Sequence, residues 1–155
     1  MIKFSIPGRE DIEIKAVVFD YNGTIAVDGK LIEELKPKFE ELAKLVDLYV
    51  LTADTFGTVA DECKGLPLEI KRFPEGAVNP QKAKIVKDLG EGVCAVGNGF
   101  NDKEMFKEAD LAICVLEKEG ICPAVLTDTD ILVKNAVDAL DMLLEPKKIK
   151  ATLRY

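Results

Sequence analysis

Short, wholly apolar runs that each end on a polar residue constrain this 155-residue chain more than any other feature. Ala16-Val17-Val18-Phe19 leads into Asp20-Tyr21-Asn22-Gly23-Thr24, and Val93-Cys94-Ala95-Val96 leads into Gly97-Asn98-Gly99-Phe100-Asn101-Asp102. Apolar runs of this length read as strands covered on both faces, and such strands belong to parallel sheets packed between helices. In an open α/β sheet the carboxyl edge of the strands is where ligands bind, so the chemistry-bearing residues fall on the functional edge. Leu51-Thr52-Ala53-Asp54 ends a third such run, and Lys82 opens a helix between them.

Periodicity extends this pattern along the chain. Lys3 to Lys15 alternates around Pro7-Gly8 and reads as an N-terminal β-hairpin. Strands are expected at 16–20, 47–52, 68–73, 93–97, 111–115 and 131–133. Helices are expected at 31–46, 55–64, 81–89, 102–109 and 136–144, with a helical turn at 123–126. Asn79-Pro80 supplies a capping residue and a first-turn proline for the third helix, and 149–155 is expected to pair with the hairpin at a sheet edge. Strands alternating with helices give a doubly wound, mostly parallel sheet, and without linker or repeat the chain reads as a single domain, 1–155.

Composition removes several function classes. Twenty-one basic and 28 acidic residues leave a formal charge of −7, which disfavours a nucleic-acid or acidic-membrane partner. No apolar stretch reaches the length of a membrane span, and the start lacks the long apolar region of a secretory signal. The four cysteines show no CxxC spacing, Cys94 and Cys114 read as buried thiols inside apolar runs, and a reduced, cytoplasmic protein is expected. Histidine is absent, which excludes Ser–His or Cys–His nucleophile systems and histidine-bound zinc.

Taken singly, each polar residue has an ordinary use. Asp20 closes a turn or acts as a covalent nucleophile towards phosphorus. Thr52 and Asp54 each cap a helix or serve a bound ligand, Thr52 with the backbone beside it donating to a phosphate oxygen. Lys82 is a solvated lysine or an ammonium aimed at an anion, and Asp102 is a cap or a ligand for Mg²⁺, which favours oxygen donors.

Their order resembles the haloacid dehalogenase superfamily, and within it the phosphorylation domain of P-type ATPases and its soluble relatives. Asp20-Tyr21-Asn22-Gly23-Thr24 is similar to the D-x-x-G-T nucleophile motif, and Thr52-Ala53-Asp54 to T-G-D. The segment from Asn79 to Val86 is similar to the lysine-bearing motif, and Gly97 to Asp102, running on to Ile113, to the G-D-G-x-N-D hinge and the strand after it. The match covers roughly Ala16 to Leu144. The resemblance implies a Rossmann-like core without a cap domain and a Mg²⁺-dependent phosphatase or phosphoryl-transfer enzyme. Asp20 would become an aspartyl phosphate. Thr52, Ala53, Gly23 and Lys82 would hold the phosphoryl group, and Asp20, Asn22 through its carbonyl, Asn98 and Asp102 would hold Mg²⁺.

Two positions depart from the pattern. Asn22 stands where phosphatases of this superfamily carry an acid–base aspartate, a group worth about 10²–10⁴-fold in rate, so turnover is expected to be slow. Asn98 stands where an aspartate ligates Mg²⁺, which removes one negative charge. Both precede glycine, the setting in which asparagine cyclises most readily, so ageing is expected to be able to convert either one to aspartate. The capless site suits a macromolecular phosphorylated substrate, or an oligomer whose neighbour acts as lid. A catalytically weak phosphate-binding or regulatory module is the second reading, and a carbon–halogen hydrolase, disfavoured by the Lys82 segment and the missing cap, the third.

Overall fold

The computed structural model describes residues 1–54 and 56–155. The apolar and amphipathic runs become strands close to their expected bounds, because Val, Ile and Phe pack well on a pleated surface buried on both sides. An N-terminal hairpin, β1 (Ile2–Phe4) and β2 (Ile12–Ile14), is followed by β3 (Ala16–Asp20). A short hairpin, β4 (Ala26–Val27) and β5 (Lys30–Leu31), comes next, then α1 (Lys36–Leu42) and β6 (Asp47–Thr52). After α2 (Thr58–Glu62) come β7 (Glu69–Arg72), α3 (Val78–Leu89) and β8 (Val93–Gly97). The chain continues through α4 (Lys103–Glu108), β9 (Leu111–Val115), β10 (Ile131–Val133), α5 (Ala136–Leu144) and α6 (Pro146–Leu153).

The six central strands are all parallel, in the order β10-β9-β8-β3-β6-β7. From β3 the chain winds outward to β6 and β7, then returns to β8 on the other side of β3 and continues to β9 and β10. The winding therefore reverses between β3 and β8, and a crevice opens at their carboxyl ends. Alternate side chains feed two cores. Val17 and Phe19 join Val50, Val96 and Ile113 on the face covered by α1, α2, α5 and α6, where Phe19 meets Phe39 edge-to-face at 5.4 Å. Val18 joins Leu51, Ala95 and Ala112 under α3 and α4.

Several expectations need correction. The helix expected over 31–46 shortens to a 3₁₀ turn at Glu33–Leu35 and α1, because Leu31 is taken by β5. The second helix begins at Thr58, and its expected start at Thr55 lies outside the described residues. Asn79 does not cap α3, which starts at Val78. Its amide ties the neighbouring turn instead, accepting from Glu104 N–H at 3.0 Å and donating to the Phe100 carbonyl at 3.1 Å. The C-terminal segment is helical, not a strand. Its Ile149 and Leu153 pack into the same core as the N-terminal hairpin, which is itself a sheet separate from the main one. Between Asp20 and Lys82 the described residues form only the β4–β5 hairpin, one 3₁₀ turn, α1, β6, α2 and β7, with no inserted folded unit. Among the described residues, no helix is long and apolar enough to cross a membrane.

Candidate active site

Asp20 is the last residue of β3, and the chain turns sharply behind it. The Tyr21 carbonyl accepts from the N–H groups of Thr24, Ile25 and Ala26, and Gly23 N–H donates to the Ala26 carbonyl. Gly23 sits at φ +76°, and a Cβ there would meet the Asn98 amide and the Glu119 carboxylate, so only glycine fits both the conformation and the space. The turn carries Thr24 back under Asp20. Its buried hydroxyl lies 3.0 Å from Asp20 Oδ2 and 3.2 Å from Asn98 Oδ1, with one proton to share between them.

The other oxygen of Asp20 is held from α3. Lys82 Nζ lies 2.6 Å from Asp20 Oδ1, 2.7 Å from Asp102 Oδ1 and 3.4 Å from Asn101 Oδ1, and the lysine is only 2% exposed. Such a buried ammonium is tolerable because two carboxylates surround it. Burial pulls its pKa down, but Asp20 and Asp102 outweigh that and leave it raised. Asp20 behaves oppositely. Burial, and then the charge of Asp102, push its carboxyl from 3.8 up to about 6, against the pull of Lys82 and the hydrogen bonds from Lys82 and Thr24.

Asp102 holds the turn after β8. Its Oδ2 accepts from the N–H groups of Asn98 and Gly99, each at 3.0 Å, while Oδ1 takes Lys82. A Cβ at Gly97 would lie 2.5 Å from that carboxylate, so the close approach needs glycine. Fully buried and bonded three times, Asp102 anchors Lys82 from behind. Asp20, Asn22 and Asn98 line the crevice with oxygen-bearing side chains, and Asp20 Oδ2 and Asn98 Oδ1 share the Thr24 hydroxyl. An all-oxygen set suits Mg²⁺, although it carries a single carboxylate charge. Among the described residues no group of three or more His, Cys, Asp or Glu side chains gathers as a metal site.

On the other flank, Thr52 ends β6 and is 6% exposed. Its Oγ1 accepts from Asp54 N–H at 3.0 Å, which leaves its own proton free to donate elsewhere. Asp54 performs the capping role that was one of its two readings. It accepts from Val59 N–H and Phe56 N–H, each at 3.0 Å, and these bonds hold its carboxyl below the ordinary range.

A cavity of about 490 Å³ opens over this constellation. Asp20, Asn22, Thr52, Ala53, Lys82 and Asn98 line it, whereas Gly23 shapes the turn and Asp102 lies behind Lys82. Sequence reasoning assigned no site role to Thr24 and Asn101. Thr24 lay inside the nucleophile motif, which was signal enough, and Asn101 lay beside Asp102 in the hinge motif. Glu119, an exposed residue whose carboxylate reaches Gly23 across the loop after β9, gave no sequence signal at all.

No protein-family profile matches the chain. The uncharacterized protein MJ0073 of Methanocaldococcus jannaschii is 38% identical over 92 residues, which span 56% of this chain and 99% of that protein. A soluble P-type ATPase-like phosphatase from the same organism is 25% identical over 123 residues, 77% of this chain but only 45% of its own length. Among solved structures, the 3-deoxy-D-manno-octulosonate 8-phosphate phosphatase of Moraxella catarrhalis, in complex with magnesium ion, phosphate ion and KDO, superposes with a TM-score of 0.69. The identity is 16%, and 91% of this chain and 94% of that one are covered. With its six-stranded parallel sheet and an aspartate at the β3–β8 reversal, the chain shares the fold of this phosphatase, and by sequence it belongs to one family with MJ0073.

Proposed function

We propose that the protein is a phosphatase-class hydrolase that forms an aspartyl phosphate on Asp20 and releases it slowly. The observation that carries this reading is the pairing of Asp20 with Lys82 at 2.6 Å, under a cavity whose remaining polar lining can only donate or accept hydrogen bonds. A carboxylate oxygen of Asp20 attacks phosphorus, and the bond from phosphorus to the leaving oxygen breaks with its electron pair. Lys82 offsets negative charge on the transferring group, and the Thr52 hydroxyl, with the backbone beside Ala53, has a proton free for a phosphoryl oxygen. Such positioned charge and hydrogen-bond donors supply most of the acceleration in phosphoryl transfer. Asp20 Oδ2, the Asn22 carbonyl and Asn98 Oδ1 would hold Mg²⁺, which when bound would neutralise phosphoryl oxygens. Asn22 has no proton to exchange, so neither departure of the leaving group nor attack of water on the aspartyl phosphate receives acid–base help.

Incubation with Mg²⁺ and acetyl phosphate, read by intact-mass spectrometry, tests this directly. A phosphate adduct that is removed by hydroxylamine and absent from Asp20→Asn supports the reading. Asn22→Asp should then raise turnover by about 10²–10⁴-fold. The two asparagines favour a second reading, a phosphate-binding or regulatory module. Phosphate binding with neither adduct nor released product would establish that reading instead.

A further inference from the structure

The cavity beside Asp20 has one polar wall and one apolar wall. Phe73, Val78 and Phe100 form the apolar side, with Phe73 almost buried and Phe100 59% exposed at the rim. A second exposed phenylalanine, Phe56 at 92%, stands on the loop after β6, on the same edge of the sheet. Among the described residues, Asp20 and Lys82 are the only charged ones that line the cavity. Lys82 is already bonded to both Asp20 and Asp102. Of the neighbouring cations, Lys103 is paired with Asp128, and Arg72, exposed at the end of β7, does not line the cavity. A ligand with a carboxylate or a second phosphate beside the reacting group would therefore meet no free counter-charge in the cavity lining. An uncharged, apolar group would meet aromatic surface.

Asn22 independently narrows the leaving group. Without a proton donor the leaving oxygen departs as an anion. A phenol ionises near pH ~10, whereas water, and alcohols like it, ionise near ~15.7, so an aryl oxide leaves unaided far more readily.

We propose that the substrate is an aryl phosphate whose uncharged ring lies against Phe73, Val78 and Phe100. This rests on the phosphatase reading of the same site. An Asp20 oxygen forms the bond to phosphorus, and the bond from phosphorus to the aryl oxygen breaks. The electron pair leaves on the aryl oxide, which takes its proton from solvent. Water then attacks the phosphorus of the aspartyl phosphate, releasing phosphate and restoring the carboxylate.

Two measurements test the inference. In the first, phenyl phosphate and ring-substituted phenyl phosphates are compared with glycerol phosphate and phosphoserine, with Mg²⁺ present. Aryl esters should phosphorylate Asp20, in single-turnover measurements, at least ~100-fold faster, the lower bound for a missing general acid, and faster still as the phenol becomes more acidic, because the slow release step is common to all esters. Asn22→Asp should narrow the gap. In the second, calorimetry compares phenylphosphonate with phosphonoacetate, neither of which is hydrolysed. Phenylphosphonate should bind more tightly, and Phe100→Ala should weaken it on the order of tenfold. Equal rates of Asp20 phosphorylation by alkyl and aryl esters, or tighter binding of phosphonoacetate, would overturn the inference and leave the phosphatase reading standing. If no ester is turned over, the phosphatase reading falls and calorimetry alone decides. Selective phenylphosphonate binding that depends on Phe100 then supports the aromatic subsite, and its absence removes it.

Discussion

Replacing Asp20 by asparagine should stabilise the protein above neutral pH while removing the proposed nucleophile. Burial and the charge of Asp102 raise the Asp20 carboxyl from 3.8 to about 6. A raised carboxyl binds its proton more tightly in the folded state than in the unfolded chain. Its contribution to stability is thus fully present below pH ~4 and is lost as pH rises through about 6. The displacement corresponds to about 3 kcal/mol, which the wild type loses once Asp20 is ionised. An asparagine side chain in its place would carry no such charge, could keep the hydrogen bond from Thr24, and would leave Lys82 paired with Asp102. For a chain of this length 1 kcal/mol moves Tm by about 2–4 °C, so the variant should melt up to ~6–12 °C higher at pH 8. Thermal melts from pH 4 to pH 8.5, in buffer with chelator and without phosphate, read the effect. The two proteins should converge near pH 4 and diverge through pH 6. A variant that melts lower than wild type at pH 8, or a difference that does not change with pH, would refute this account of Asp20.

Other perturbations follow from the same cluster. Lys82→Met leaves Asp20 and Asp102 buried together without their cation, which should cost about 3–5 kcal/mol at pH 8 and less at pH 4, where Asp20 is protonated; the same melts measure it. Asn98→Asp restores a carboxylate facing Thr24 and should tighten Mg²⁺ binding, measured by calorimetry, while lowering the melting point of the metal-free protein. Both asparagines should survive ageing, against the expectation from their Asn-Gly sequences. Cyclisation needs the following N–H as nucleophile, and Gly23 N–H donates to the Ala26 carbonyl while Gly99 N–H donates to Asp102. Peptide mass spectrometry of protein stored for weeks should find amide at both positions, and conversion in the folded protein would show that these bonds do not protect.

The strands were legible because a short, unbroken apolar run is a local signal. Val17, Val18 and Phe19 announce burial on both faces, and the structure sends them to two different cores. The carboxyl-edge residues were legible as a set for the same reason, since each follows such a run. What a single residue does once there was not legible. Asp54 and Asp102 both read as caps or ligands, and only distance separates a cap of α2 from the anchor of a buried lysine. Helix ends were least visible. Nothing in Leu31 distinguishes the first turn of a helix from the partner of Ala26 in a two-residue strand, because that choice is made by the hairpin that Tyr21 pins through its hydroxyl to the Gly29 carbonyl at 3.0 Å. The C-terminal helix was missed because its burial depends on the N-terminal hairpin, more than a hundred residues away in sequence.

The two asparagines make sense together as electrostatics. Asp20 and Asp102 already place two carboxylates around one buried ammonium, and burial, then the charge of Asp102, push the Asp20 carboxyl up to about 6 despite Lys82. Carboxylates at positions 22 and 98 would add two further negative charges at the mouth of the same crevice, with no second cation lining it among the described residues. Each would push Asp20 higher still in the absence of metal, taking it towards the protonated form that cannot attack phosphorus. With amides there, Asp20 stays largely ionised at neutral pH without help from a cation. What is given up is the proton for the leaving group. A chain that keeps the nucleophile ready and lacks the acid is suited to substrates whose leaving oxygen needs no proton.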